Sequence, residues 1–216
     1  MRANSDLAVS PKSTGGMGTN YEYRVAAVAL AMLLSEGHMP FGVGLPLAEV
    51  RLQQRNAGCH LDDLVLISPA DRRVIVQAQV KNSLTVTGSS RELIDVLGQA
   101  HHACEANAEA LASGDMLLGL IAEGNASHLG QLKNLTEMVR HLVDVPAVHQ
   151  QMREKATGEP LRKRYRHVLT AMGVVVAGSP ATVEEAARRV LSGLHVWIAD
   201  AGPGARGAAV QFVLRW

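Results

Sequence analysis

Apolar positions first recur along the chain with a helical period. From Asn20 to Gly37 the sequence reads NYEYRVAAVALAMLLSEG, a pattern that predicts one helix with Gly37 as its C-cap. MPFGVGLP then breaks the pattern, and shorter runs follow. LAEVRLQ (47–53), LDDLVLIS (61–68) and RRVIVQAQVKNS (72–83) predict three strands. SPADRR, between the last two, supplies turn chemistry, so 61–83 predicts an antiparallel hairpin. In the third strand the period of two puts Val74, Val76, Ala78 and Val80 on one face. Gln77, Gln79 and Lys81 share the other, an unusually polar face for such an apolar run.

Helical spacing returns at SSRELIDVLGQAHHACEANAEALAS, where Ser89 and Glu92 have the spacing of a capping box. DMLLGLIAEG (115–124) predicts a buried strand and NASHLGQLKNLTEMVRHLVD a helix. A basic helical segment lies within 146–172. Thr182 and Glu185 predict a second capping box opening VEEAARRVLSGL, and HVWIAD (195–200) predicts a last strand. The order α-β-β-β-α-β-α-α-α-β predicts an α/β fold: a small mixed sheet flanked by helices, with a mainly helical C-terminal half. Residues 1–18, polar and glycine-rich, read as a flexible arm before a domain spanning 19–216. AGPGARG reads as a flexible break. The abrupt ending at QFVLRW suggests the N-terminal part of a longer multidomain protein.

Composition narrows the function classes. The 216 residues are 47% hydrophobic, 19% charged and 3% aromatic, with a net charge of +1. Global charge neither demands nor excludes a nucleic-acid partner, and scarce aromatics argue against base stacking on aromatic platforms. Two unclustered cysteines, Cys59 and Cys104, suit a reducing compartment. The longest apolar run near the N-terminus, VAAVALAMLL (25–34), is far short of the roughly 20 residues a bilayer needs, and it lacks signal-peptide flanks. The chain reads as cytoplasmic, without a membrane partner.

The hairpin concentrates the candidate chemistry. Asp63 begins one strand, while Gln79 and Lys81 stand on the next, where cross-strand neighbours come within a few ångströms. A carboxylate, an amide oxygen and an ammonium then surround one point, and Glu22 on the first helix can reach the same sheet end. Hard oxygen donors of this kind suit Mg²⁺, which keeps several waters and needs few protein ligands. Such a centre suits metal-assisted phosphodiester hydrolysis, with a lysine stabilising developing charge.

At this point the sequence resembles a family. Asp63 followed by Gln79-Val80-Lys81 is similar to the PD-(D/E)XK nuclease motif in its variant form, with Gln at the acidic position. GGMGTNYEYRVAAVALAMLL, VRLQ, LDDLVL and QAQVKNSLTVTGSS, in that order, resemble the N-terminal double-stranded DNA endonuclease domain of bacterial antiphage effectors of the CBASS and AVAST type. The resemblance covers residues 15–95. It implies a restriction-endonuclease-like mixed central sheet flanked by helices. It also implies an Mg²⁺-dependent endonuclease, with Mn²⁺ as a substitute, that cuts double-stranded DNA with low sequence specificity. In that reading Asp63 is the main metal ligand, with Asp62 as its rival. Gln79 replaces the second acidic ligand, Lys81 is the catalytic lysine, and Glu22 is an additional or second-metal ligand. The family implies a homo-oligomer when activated, driven by a sensor or NTPase module outside this chain.

Other readings attach to neighbouring residues. Asn82, Ser83, Thr85 and Thr87 could bond DNA phosphates beside the site or form a polar loop. Arg162, Lys163, Arg164 and Arg166, in LRKRYRH, could track phosphates or form a solvated helix face. GGMGTN lacks the GK[ST] ending of a phosphate loop. His101, His102 and Cys104, with Cys59 and His60 far off in sequence, make a poor zinc set. Trp197 and Trp216 read as packing residues. Two alternatives to a DNase remain: a degenerate nuclease fold acting as a nucleic-acid-binding or assembly module, and an RNase on the same site.

Overall fold

The structure, a computed structural model, describes residues 16–124, 127–176 and 179–199, with side chains from Asn20 onward. Its centre is a five-stranded sheet in the order β1-β2-β3-β4-β5, formed by Glu49–Leu52, Leu64–Ile67, Ile75–Lys81, Met116–Glu123 and Leu194–Ala199. β1, β2 and β3 form an antiparallel meander. β4 lies parallel to β3, and β5 lies parallel to β4. Each parallel step requires a crossover. The first is made by α2 (Arg91–Ala106) and α3 (Ala108–Ser113). The second is made by α4 (Ser127–Arg140), α5 (Val145–Arg153), α6 (Gly158–Val175) and α7 (Pro180–Gly193). The fold is therefore α/β, with a mixed sheet flanked by helices. Among the described residues no helix is long and apolar enough to cross a membrane.

Two cores lie on the two faces of the sheet. α1 (Gly16–Leu34) turns Tyr21, Val25, Ala29 and Met32 onto Leu64, Leu66, Val76, Ala78, Val80 and Ile121. The spacing of these helix positions is the three-to-four-residue repeat that keeps one face on a sheet. The larger core joins Leu118, Leu120 and Ala122 of β4 to the buried stripes of α2, α4, α6 and α7. At 0% exposure, Leu118, Leu120 and Val168 are positions where truncation to Ala costs about 2–5 kcal/mol.

Several local expectations are corrected. α1 starts at Gly16, so the last residues of the anticipated arm are helical; extending a nucleated helix needs only weak propensity. Residues 1–15, the AGPGARG segment and QFVLRW lie outside the described residues. The cap of α2 is Ser90, not Ser89. Its Oγ accepts the Leu93 N–H, because the buried Leu93 and Val96 fix the helix phase one residue later. α7 opens earlier than Thr182, on Ser179, whose Oγ accepts the Thr182 N–H, with Pro180 pre-set for the first turn. The basic stretch within 146–172 is two helices, separated where Gly158 takes φ +65°.

The polar face of β3 is largely covered, with Lys81 at its end partly exposed. Gln77 and Gln79 are 7% and 4% exposed, because their register partners Leu118 and Leu120 carry the helical layer over them.

Candidate active site

Antiparallel pairing of β2 with β3 sets Leu64 opposite Ala78, which leaves Asp63, just ahead of β2, facing Gln79. Its Oδ2 accepts the Val80 N–H at 2.8 Å and the Nε2 amide of Gln79. The amide oxygen of Gln79 is buried and has no protein partner, and the same is true of Gln77 one pair deeper. Burial pushes the Asp63 carboxyl up to about 6. The Val80 N–H and the Lys81 ammonium oppose that rise, and the Glu22 and Asp62 carboxylates add to it.

Glu22 stands on α1 next to Tyr21, whose hydroxyl donates to the Ala199 carbonyl (3.3 Å) at the end of β5. This is the sheet end at which β3 finishes in Lys81 and β4 in Glu123. Burial raises the Glu22 carboxyl above its ordinary value, the Lys81 charge lowers it and the Asp62 charge raises it again. Glu22, Asp62, Asp63 and Lys81 therefore share one field, with Gln79 hydrogen-bonded into it. Asp63 carries the direct contacts to the β3 strand, while Asp62 acts on its neighbours by charge. Gln77, only 7% exposed, offers almost no surface to a ligand.

Glu92, on the first turn of α2, is read from sequence only as a capping-box residue and not as part of the site. Its carboxylate accepts from Ser90 Oγ at 2.8 Å and feels the Lys81 charge. The signal for it was its place in the first turn of the helix that follows Lys81. Among the described residues, no group of three or more His, Cys, Asp and Glu could by itself hold a metal ion. The histidines follow suit: the His60 and His102 rings sit 6.0 Å apart and His101 and His102 5.9 Å apart, without a closed ligand set.

The loop after Lys81 alternates. Leu84 and Val86 are buried, which turns Ser83 and Thr85 outward, with Asn82 and Thr87 half-buried. This loop is fastened to the helical layer. His128 Nε2 meets the Leu84 carbonyl at 2.9 Å, Arg164 Nη1 donates to the Val86 carbonyl, and the Gly88 N–H donates to His167 Nδ1 at 3.0 Å. Two sequence-distant candidate groups, 82–87 and 162–166, are thereby neighbours.

The basic side chains of α6 are largely engaged. Arg164 Nε also donates to Gln131 Oε1 (2.9 Å), and Arg162 donates to the Glu154 carbonyl (2.9 Å) and lies 3.8 Å from Glu159. Arg166 pairs with Glu159, and Lys163 is exposed.

Compared with protein-family models, with curated proteins and with solved structures, the chain matches none of them.

Proposed function

We propose that this chain is a metal-dependent endonuclease domain acting on double-stranded DNA, with Asp63, Gln79, Lys81 and Glu22 as its working residues. The observation that carries the reading is the Asp63–Gln79 pair with Lys81 one step along the same face. A partly buried carboxylate, an orphaned amide oxygen and a second carboxylate are hard oxygen donors, and both carboxylates feel the Lys81 charge.

This donor set fits Mg²⁺ held by one or two carboxylates and completed by waters and DNA phosphate, rather than by a full protein cage. Mn²⁺ would substitute. Asp63 would be the chief ligand, with Gln79 and Glu22 assisting. The metal, when bound, polarises the phosphoryl group and makes a water more acidic. Lys81 holds positive charge at the strand end, where charge develops on the phosphoryl oxygens. Glu22 and Asp62 keep the local field negative. Ser83 and Thr85, turned outward beside Lys81, can bond the DNA backbone, and Lys163 extends the phosphate track. Backbone contacts of this kind carry no sequence readout, so cutting is of low specificity. An antiphage effector role, with oligomerisation driven by a sensor or NTPase module beyond this chain, extends the same proposal.

A second reading, a degenerate copy that binds nucleic acid without cutting it, is favoured by one observation. Gln79 presents its nitrogen, not its oxygen, to Asp63. Incubation with supercoiled plasmid separates the two readings. Nicking and linearisation in Mg²⁺ that stop in EDTA and in Lys81→Ala support the nuclease. DNA retention without any cleavage supports the binding module, and preferential cutting of duplex RNA would redirect the proposal to an RNase.

A further inference from the structure

A separate cavity lies at the β5 edge of the sheet, between the loop of residues 38–46 and α4. Its volume is about 370 Å³, and its lining includes Phe41, Lys133, Glu137, Arg140, His195 and Trp197. This is within the range of small-ligand pockets, at the end suited to a mononucleotide or smaller. His195 and Trp197 pair in register with Gly119 and Ile121 of β4, which pair in turn with Ala78 and Val80.

One wall is built by a glycine-rich loop. Residues 38–46 are pinned by the His38–Pro46 bridge and the Met39 N–H to Leu45 carbonyl bond (2.7 Å). Phe41 at its tip takes φ +65°, a left-handed conformation that a bulky side chain adopts only when its surroundings impose it. Gly119 makes room for the side chain: a Cβ there would sit 2.7 Å from the Phe41 ring, so the ring lies directly on the β4 backbone. Phe41 then meets Trp197 edge-on at 5.9 Å and His195 at 6.3 Å.

The opposite wall is a polar stripe on α4. Lys133, Glu137 and Arg140 stand at the spacing of one helix face. Lys133 is 3.8 Å from Glu137. Arg140 is half-buried, and donates from Nε to the Ser192 carbonyl (3.3 Å) and from Nη2 to the Leu194 carbonyl (3.0 Å). Both of those partners are neutral, so two cations face a single carboxylate. Burial, reinforced by the Arg140 charge, holds His195 down to about 4, so its ring adds no charge at neutral pH.

We propose that this cavity binds a small planar aromatic anion of nucleoside-monophosphate size, its ring against Phe41 and Trp197 and its anionic group on the Lys133–Arg140 stripe. Aromatic walls give such a ring stacking or edge contact, and a partly desolvated arginine gives its anion a charge-assisted hydrogen bond. The site does not depend on the nuclease reading.

The chain holds only two tryptophans, so in Trp216→Phe the emission reports Trp197 alone. Nucleoside 5′-monophosphates titrated to ~10 mM, beyond the weak end of small-ligand affinity, should change that emission saturably. Lys133→Gln, at a side chain that is about half exposed and should leave the fold intact, should weaken binding about tenfold, the effect of one lost charge-assisted contact. The uncharged nucleosides should bind weaker than the monophosphates, and Lys81→Ala should bind as the parent does. No saturable change, equal binding of nucleoside and monophosphate, or indifference to Lys133→Gln would each overturn the proposal.

Discussion

Gln79 donates its amide to the carboxylate of Asp63 across the β2–β3 pair while its own oxygen stays buried without a partner. An unmatched buried amide oxygen costs about 1–3 kcal/mol, and Asp63 loses further free energy on ionising in so dry a place. Stability is thus given up twice at one pair of residues. A packed domain tolerates such a loss most readily where a ligand can recover it.

Asp63→Asn should stabilise the metal-free protein at neutral pH. The folded chain holds the Asp63 proton more tightly than the unfolded chain does, since its pKa is raised from 3.8 to about 6. The stability linked to this group is therefore fully present below pH ~4 and is lost as pH rises through ~6. The full difference corresponds to ~3 kcal/mol, less what residual hydration returns. Asparagine keeps an oxygen for the Val80 N–H and removes the titration. Urea unfolding in EDTA at pH 4 and pH 8 measures it, and an unchanged pH slope in the variant would count against this account. Plasmid cutting should be lost in the same variant.

Gln79→Glu sets a second carboxylate against Asp63 at a position only 4% exposed. Without metal the two charges repel in a low dielectric, so the melting temperature in EDTA should fall. Millimolar Mg²⁺ binds the folded form and should recover that loss by mass action, with a larger rise than the parent shows. A melting temperature that ignores Mg²⁺ in both proteins would remove the cation from the site.

Lys81→Ala should reduce plasmid cutting at least ~100-fold with little change in thermal stability, because the side chain is half-buried at a strand end and its ammonium acts on charge rather than packing. Lys81→Arg should not restore full activity, since a planar fork does not replace a compact ammonium. Cutting by the Ala variant at the parent rate would sink the catalytic assignment.

How much of this was legible in the sequence varies with distance along the chain. The hairpin 61–83 was, because a tight turn and a period of two fix which residues face each other, and that alone brings Asp63 to Gln79. The packed face of α1 followed from its helical spacing. The burial of Gln77 and Gln79 was not legible, because a polar stripe on a strand normally signals water. Here the cover comes from β4 and the helices beyond it, whose contacts no local pattern encodes. The caps at Ser90 and Ser179 competed with equally good serine and threonine signals nearby, and core positions decided between them. The Arg164–Val86 contact spans 78 residues and the β5 cavity joins three separate segments, so neither leaves a local signature.

Gly88→Ala tests whether the loop after Lys81 works only when it is held to α6. The added Cβ would stand 2.6 Å from the Cβ of Thr170, an atom fixed to the helix backbone that no rotamer can move aside. The loop must lift, which breaks the Gly88 N–H bond to His167 Nδ1 and pulls Val86 away from Arg164. Overpacking of this kind costs about 1–3 kcal/mol. The damage should be local. Amide hydrogen exchange should speed up across 84–88 and stay slow in β3 and β4, while global unfolding shifts modestly. If 82–87 and α6 form one DNA-contacting surface, the variant should also bind duplex DNA more weakly, and its binding should depend less steeply on salt. Normal exchange in the loop would mean that the Gly88–Thr170 contact does not hold it. Loosened exchange with unchanged DNA affinity would remove this surface from the DNA path and leave Lys81 and its carboxylates to act alone.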